Sequence, residues 1–312
     1  MLIGAGALSW QLFKPLDHEP VPAKFTCLNL GEGEHILSPE LSGRVYGVGL
    51  SYAGHIKETA SDFSPDIAPP IFVKAPHSIL RDGGKVAVPS SQEIFAALDR
   101  LEPGLGGKLE AIYPKMPAML DYEVELGFVL LEDVSSQQLN DDSFIPKIGF
   151  TIVNDLSARS LIFMGEGQKN RYDYWGLSKS FPGFTPLTDS LWVPSTHKPD
   201  AIPCVTLETK VNGETRQQQT TANIIYTPKQ MLGFITDKYP DQPLRKGDMI
   251  ATGTPAGVIM STPVWLVRLS SILDLGRFAK LDAVIDRKGF LTAGDKVVTS
   301  GEGLGGFSVV LE

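Results

Sequence analysis

Cysteine is nearly missing, since the 312 residues hold only Cys27 and Cys204. Two thiols cannot build the multi-bridge framework of a small secreted domain, and with no histidine beside either they do not suggest a zinc site. Their scarcity points to a reducing compartment and so to a cytoplasmic or mitochondrial location. Positive charge is short too, with 28 Lys and Arg against 36 Asp and Glu, a net charge of −8. Nucleic acid is therefore not an expected partner, because phosphate binding needs clustered cations. No stretch reaches the roughly 18 consecutive apolar residues that spanning a bilayer requires, so no membrane partner is expected either. The first twenty residues carry one lysine, Lys14, and no arginine, which does not support an Arg-rich transit peptide.

Turn formers are in excess. The 31 glycines and 23 prolines follow no repeat, and an unpatterned excess of this kind suggests many short strands. Residues 1–40 read as a small N-terminal β-rich segment, and residues 41–312 as the main domain. Val45, Tyr46, Val48 and Leu50 suggest a strand, and Ser51 to Glu58 a short helix with His55 and Glu58 on one face. Ser90 with Glu93, and Thr227-Pro228 with Gln230, have capping-box spacing and predict two longer helices. Asn212-Gly213 between alternating segments predicts a hairpin. Further strands are expected at Ile148 to Val153, Met249 to Thr252, Lys296 to Ser300 and Ser308 to Leu311. Few helices and many strands make a β-dominated α+β fold.

Two glycine-rich stretches look like chemistry and are not. Gly301 to Gly306 has the letters of a dinucleotide fingerprint, but only six residues follow, too few for the helix whose N-terminus would hold pyrophosphate. Gly107-Lys108 lacks the first glycine and the hydroxyl residue of a phosphate loop. His18, His35, His77 and His197 have no metal-ligand spacing.

Asp121 to Leu131 reads as one strand with Asp121, Glu123, Glu125, Gly127, Val129 and Leu131 on one face. A solvent-facing polar side is the plain reading. The same face continues as Gly, Val and Leu, however, so one end should be buried, and two glutamates about 7 Å apart there would repel each other and lose hydration. A hard cation, Mg²⁺, Mn²⁺ or Ca²⁺, would answer both problems. Asp155, at the end of the run Ile148 to Val153, could add a third oxygen ligand, or could cap the following turn.

Taken in order, Tyr52-Ala-x-His55-x-x-Glu58, Asp121-Tyr-Glu123-x-Glu125-Leu, Val153-Asn-Asp155-Leu-Ser-Ala-Arg159, Lys179-Ser-Phe181, Val211-Asn-Gly213-Glu and Gly247-Asp-x-Ile-Ala-Thr-Gly-Thr254-Pro-Ala-Gly257 resemble the fumarylacetoacetate hydrolase family over residues 41–257, resuming at Ala293-Gly294-Asp295. The resemblance implies a mixed β-sandwich or β-roll core with one divalent cation between Glu123, Glu125 and Asp155. It implies a small 2-oxo or 1,3-dioxo acid as substrate, and C–C hydrolysis of acylpyruvates, decarboxylation or keto–enol tautomerisation through a metal-stabilised enolate. On that footing His55 is the candidate base and Glu58 orients its ring. Lys179 offers charge to the substrate carboxylate or enolate. Tyr52 and Thr254 are candidate substrate contacts, and the metal motifs are expected to bring no basic partner to the carboxylates.

Several positions depart from the family pattern. Ser51 stands where Asn is frequent. Ser160-Leu161-Ile162 replaces Asp-x-Gln, and the apolar Ile162 cannot donate a hydrogen bond. The segments Phe163 to Leu177 and Ser261 to Gly289 are longer than usual. These changes suggest a larger, more apolar substrate. A C–C hydrolase or decarboxylase, a tautomerase or ring-forming enzyme, and a non-catalytic binding scaffold remain the alternatives, with intact His55, Glu58 and carboxylates arguing against the last. A homodimer is expected from the resemblance and from the apolar insertion Val264 to Leu275.

Overall fold

Asn212 (φ 52°) and Gly213 (φ 88°) make the tight turn their sequence predicts, joining β14 (Thr206–Val211) to β15 (Glu214–Thr220). Both central residues take positive φ, the geometry that matches a hairpin's twist. The glycine-rich Gly301 to Gly306 stretch is likewise a hairpin turn between β17 (Lys296–Gly301) and β18 (Gly305–Leu311), with Gly303 and Gly305 at positive φ. These strands, with β6 (Gly83–Val86), form a five-stranded sheet in the order β15-β14-β17-β18-β6. The computed structural model describes residues 18–38, 41, 44–59, 64, 67–261, 273 and 276–312.

A larger sheet of nine strands lies against the first. Its main path is β2 (Gly33–Leu37), β12 (Ser190–Pro194), β9 (Ile148–Asn154), β8 (Val124–Leu130), β16 (Met249–Ala251), β3 (Val45–Val48) and β4 (Ile71–Lys74). To the side, β11 (Thr185–Leu187) pairs with β9 and with β5 (Ile79–Arg81). All pairs on the main path are antiparallel except β16 with β3. Two short pairs complete the strands, β1 (Thr26–Leu28) with β13 (Ala201–Pro203) and β7 (Leu120–Asp121) with β10 (Ser157–Ala158).

Strand β8 shows how the layers are built. Val124, Leu126, Phe128 and Leu130 join the large core with Ile152, Leu207 and Val297, where the two sheets meet. Val129, on the other face, joins a smaller cluster with Val45, Val153, Leu187, Leu191 and Met249. Both faces of β8 are buried throughout. The expected single strand from Asp121 to Leu131 is therefore two pieces: Asp121 pairs across to Ser157 in β7–β10, and the chain re-enters the large sheet at Val124.

The described helices are α1 (Ala53–Thr59), α2 (Ser91–Leu101), α3 (Leu105–Ile112), α4 (Ser136–Leu139), α5 (Arg159–Gly165), α6 (Arg171–Ser178), α7 (Pro228–Lys238) and α8 (Arg277–Asp282). Reciprocal capping boxes at Ser90/Glu93 and Thr227/Gln230 start α2 and α7 where the spacing predicts. Gly107 and Lys108 lie within α3. Among the described residues no helix is long and apolar enough to cross a membrane.

One expectation needs correction. Cys27 and Cys204, 177 residues apart in sequence, are joined in a disulfide that links the middle of β1 to the residue after β13. The parallel register Cys27↔Ile202 brings the two cysteines together, so a low cysteine count is no ground for a reducing compartment. The apolar stretch Val264 to Leu275, on which the dimer expectation partly rests, lies largely outside the described residues.

Candidate metal centre and active site

The centre sits where β8 begins and β9 ends. Val124 pairs with Asn154, the Asn154 side chain accepts from the Glu123 amide at 3.0 Å, and the Asp155 amide donates to the Glu123 carbonyl at 2.8 Å. The Asn154 amide group also donates to Thr299 of β17 at 2.9 Å, tying the junction to the second sheet. Glu123, Glu125 and Asp155 each bring a carboxylate oxygen to within 4.8 Å of the others, and all three residues are buried. Glu125 lies on β8, Glu123 immediately precedes it, and the residue after β9 supplies Asp155.

Three carboxylates this close cannot keep their charges in a buried site without compensation. Burial, and then the charges of Asp155 and Glu123, push Glu125 well above the usual carboxylate range. It accepts from the Gly253 amide at 2.8 Å, and among the described residues no cation is in direct ion-pair contact with it. An all-oxygen donor set with one member that no cation contacts directly fits a hard divalent cation.

Cations surround the other two acids, which corrects the expectation of a cluster without basic partners. Lys179 Nζ donates to Glu123 Oε2 and Asp155 Oδ2, both at 2.6 Å. Lys74 of β4 donates to Asp155 Oδ1 and, at 3.0 Å, to the Phe184 carbonyl. Arg159, from the same motif as Asp155, meets Glu123 Oε1 at 2.6 Å and Asp121 Oδ2 at 2.8 Å. Burial raises the Glu123 carboxyl, but Lys179, Arg159 and His55 outweigh it and bring it to about 2. Burial likewise pulls the Lys179 ammonium down, and Asp155 and Glu123 reverse that into a net rise. For Lys74 burial wins, and its pKa is lowered.

The remaining candidates lie on α1 and on the loop after β16. His55 and Glu58 share a face of α1, with Nδ1 and Oε2 3.4 Å apart. Glu58 also accepts from the Gly257 amide at 3.1 and 3.2 Å. Gly257 has φ +108°, and a Cβ there would lie 2.7 Å from the Arg216 carbonyl, so the position requires glycine. Tyr52 is buried near Glu125, which together with burial holds its phenol well above its ordinary pKa. The Tyr52 hydroxyl has no hydrogen-bond partner among the described residues. Thr254 is engaged within the fold, donating to the Val124 carbonyl at 3.0 Å and accepting from Gln217 at 2.9 Å. The structure thus gathers Glu123, Glu125, Asp155 and Lys179 into one cluster, sets His55 near Glu123, and leaves the Thr254 hydroxyl bonded elsewhere.

Sequence reasoning placed Asp121 and Arg159 in motifs without giving either a role, and passed over Lys74. Lys74 carried a signal, a lysine ending the apolar run Ile71-Phe72-Val73, but its partner Asp155 is 81 residues away. The long segment before Lys179 becomes α6, which packs on β4: Trp175 lies 6.0 Å from Phe72, and Lys179 stands 5.3 Å over the Phe72 ring. The end of α6 therefore delivers Lys179 to the carboxylates.

Fold and cluster together define a β-dominated α+β protein with a buried, all-carboxylate candidate metal centre beside a His–Glu pair. The profile of the fumarylacetoacetate hydrolase C-terminal domain matches residues 44–311, and the chain belongs to that family. The homoprotocatechuate catabolism bifunctional isomerase/decarboxylase of Escherichia coli is 30% identical over 70% of this chain and 42% of that protein. The chain thus spans less than half the length of that relative. The oxaloacetate tautomerase YisK of Bacillus subtilis is 26% identical over 77% of this chain and 68% of its own. Among solved structures, a putative HpcE protein from Mycobacterium smegmatis superposes with a TM-score of 0.56 at 26% identity, covering 88% of this chain and 75% of that one. Fumarylpyruvate hydrolase from Pseudomonas aeruginosa, solved with Mn²⁺ and pyruvate, has the same fold with a TM-score of 0.56 at 19% identity, covering 96% and 98%.

Proposed function

We propose that this protein is a divalent-metal-dependent enzyme that acts on a small 2-oxo or 1,3-dioxo acid and cleaves a C–C bond, by acylpyruvate-type hydrolysis or by decarboxylation. The supporting observation is the buried cluster of Glu123, Glu125 and Asp155 within 4.8 Å of one another, with Lys179 bonded to two of them. A Mg²⁺, Mn²⁺ or Ca²⁺ ion held there would act as a Lewis acid on the oxo and carboxylate oxygens of the substrate.

His55 is the base. Its Nδ1 faces Glu58, which leaves Nε2 to take a proton and Glu58 to stabilise the imidazolium that forms. In hydrolysis Nε2 takes the proton of a water whose oxygen adds to the carbonyl. The C–C bond then breaks, its electron pair moves into the departing oxo acid, and the imidazolium returns the proton. Lys179 supplies positive charge where negative charge grows. The Tyr52 hydroxyl is a donor available to a substrate oxygen.

A second reading, keto–enol tautomerase or isomerase, is favoured by the names of the E. coli and B. subtilis relatives. It needs the same base and the same cation, and moves a proton between carbon and oxygen without breaking a C–C bond. Products separate the two: with Mg²⁺ or Mn²⁺ added, acylpyruvates and oxaloacetate should lose a carbon fragment under the first reading and show only a UV tautomer change under the second. Metal should also stabilise the fold by about 2 to 3 kcal/mol at a hundredfold excess over Kd, and Glu123→Ala should abolish that rise in melting temperature. If metal leaves both proteins' melting temperatures unchanged and neither product pattern appears, the assignment is wrong.

A further inference from the structure

Asp121 belongs to the same sequence motif as Glu123 and Glu125, yet it is not one of the three clustered carboxylates. It is fully buried, and its oxygens accept from the amides of Tyr122 at 2.9 Å and of Ile259 and Met260 at 3.0 Å each. It also accepts from Arg159 Nε at 2.9 Å, and a terminal nitrogen of Arg159 stands in ion-pair contact at 2.8 Å, out of hydrogen-bond alignment. That terminal nitrogen is also 2.6 Å from Glu123 Oε1. Three backbone amides fix Asp121, the bond from Nε to Asp121 orients the guanidinium, and the guanidinium's terminal nitrogen is thereby set in ion-pair contact with one oxygen of Glu123. The other oxygen, Oε2, accepts from Lys179, whose ammonium also donates to Asp155 Oδ2.

We infer that Arg159, oriented by Asp121, is a positioning residue that holds Glu123 Oε1 back and presents Oε2 alone to the cation. This inference rests on the proposed metal-dependent function. A planar fork that engages two carboxylates at once suits this task, and a lysine ammonium, a point charge on a flexible stem, does not. Partners that orient metal ligands commonly change metal affinity by roughly 10- to 100-fold when removed.

Positioning and plain electrostatics predict different results. If Arg159 acted only through its charge, Arg159→Met would remove a like charge and tighten cation binding, and Arg159→Lys would leave it unchanged. If it positions Glu123, both substitutions weaken binding. Asp121→Asn, which frees the guanidinium, should weaken it as well.

The test is Mn²⁺ titration calorimetry with the full chain, together with the electron paramagnetic resonance spectrum of bound Mn²⁺. We expect about 10- to 100-fold weaker binding for Arg159→Lys and Arg159→Met, with an altered spectrum reporting a changed Glu123 contact. Wild-type affinity and spectrum in Arg159→Lys, or tighter binding in Arg159→Met, overturns the inference. Should Arg159→Met fail to fold, as near-ultraviolet circular dichroism would reveal, Arg159→Lys decides the matter because it keeps the buried charge. Absence of Mn²⁺ binding by the wild type would instead sink the metal-dependent reading itself, and this inference with it.

Discussion

His55 and Glu58 carry the most direct prediction at the scale of single residues. His55→Ala should lower turnover by roughly 10² to 10⁴, the usual range for a general base, while leaving Mn²⁺ affinity nearly unchanged because His55 is not among the clustered carboxylates. Glu58→Gln should cost less, since the ring stays in place. Turnover and Mn²⁺ titration on the same preparations check both, and wild-type turnover in His55→Ala would remove the base from the scheme. Single residues also show where the sequence is readable. Glu123 and Glu125 were readable as a shared face because strand periodicity places them there, and Asp155 because an apolar run ends at it. The cations were not. Lys74 lies on β4 and reaches Asp155 only through tertiary packing, and no local period predicts that. Arg159 stood inside a recognised motif, but its bond to Glu123 depends on the β7–β10 pairing that carries Asp121.

Elements read best where the chemistry is local. Capping boxes and an Asn-Gly turn act over four residues, so α2, α7 and the β14–β15 hairpin were legible from spacing. The break between β7 and β8 was not, because alternation runs straight through it, and only the partner strands reveal that Asp121 pairs elsewhere. Another non-local link joins α8 to the end of α2. Arg277 grips both oxygens of Glu102 at 2.6 and 2.7 Å, and the Tyr174 hydroxyl donates to the same carboxylate at 3.0 Å. The Arg277 hydrogen bonds hold Glu102 below its ordinary pKa. A depressed carboxylate stabilises the fold above its unfolded pKa, and that contribution disappears as pH falls through the folded value. Because the glutamate side chain is 34% exposed, solvent screening limits the effect to about 1 kcal/mol. Urea unfolding at pH 7 and at pH 3 should show Glu102→Gln less stable than wild type at pH 7 and closer to it at pH 3. An equal gap at both pH values would rule the linkage out.

Across the whole molecule the β-dominated α+β character follows from the excess of turn formers and short alternating runs, but the closure of the N-terminal strands does not. Residues 26–37 include β1 and β2, which pair with β13 and β12 from the middle of the chain. Such parallel or long-range pairings leave no trace in local spacing, and neither does the Cys27–Cys204 bond that accompanies them. The bond closes a loop across 177 residues of sequence separation. Strand β2 has five paired positions on β12 that do not depend on it, so the N-terminal region should remain docked when the bond is cut. Its contribution then acts mainly through the unfolded chain, whose freedom a long closed loop restricts. The chain-entropy estimate for so large a loop is roughly 5 kcal/mol, and measured values usually fall near 2 to 4. Urea unfolding of the wild type with and without reductant, beside Cys27→Ser/Cys204→Ser, should show a loss of that size, with the double variant matching the reduced wild type. Thiol titration of the native protein supplies the control: two reactive thiols without reductant, or an unfolding midpoint that reductant does not move, would remove the disulfide from the account of stability.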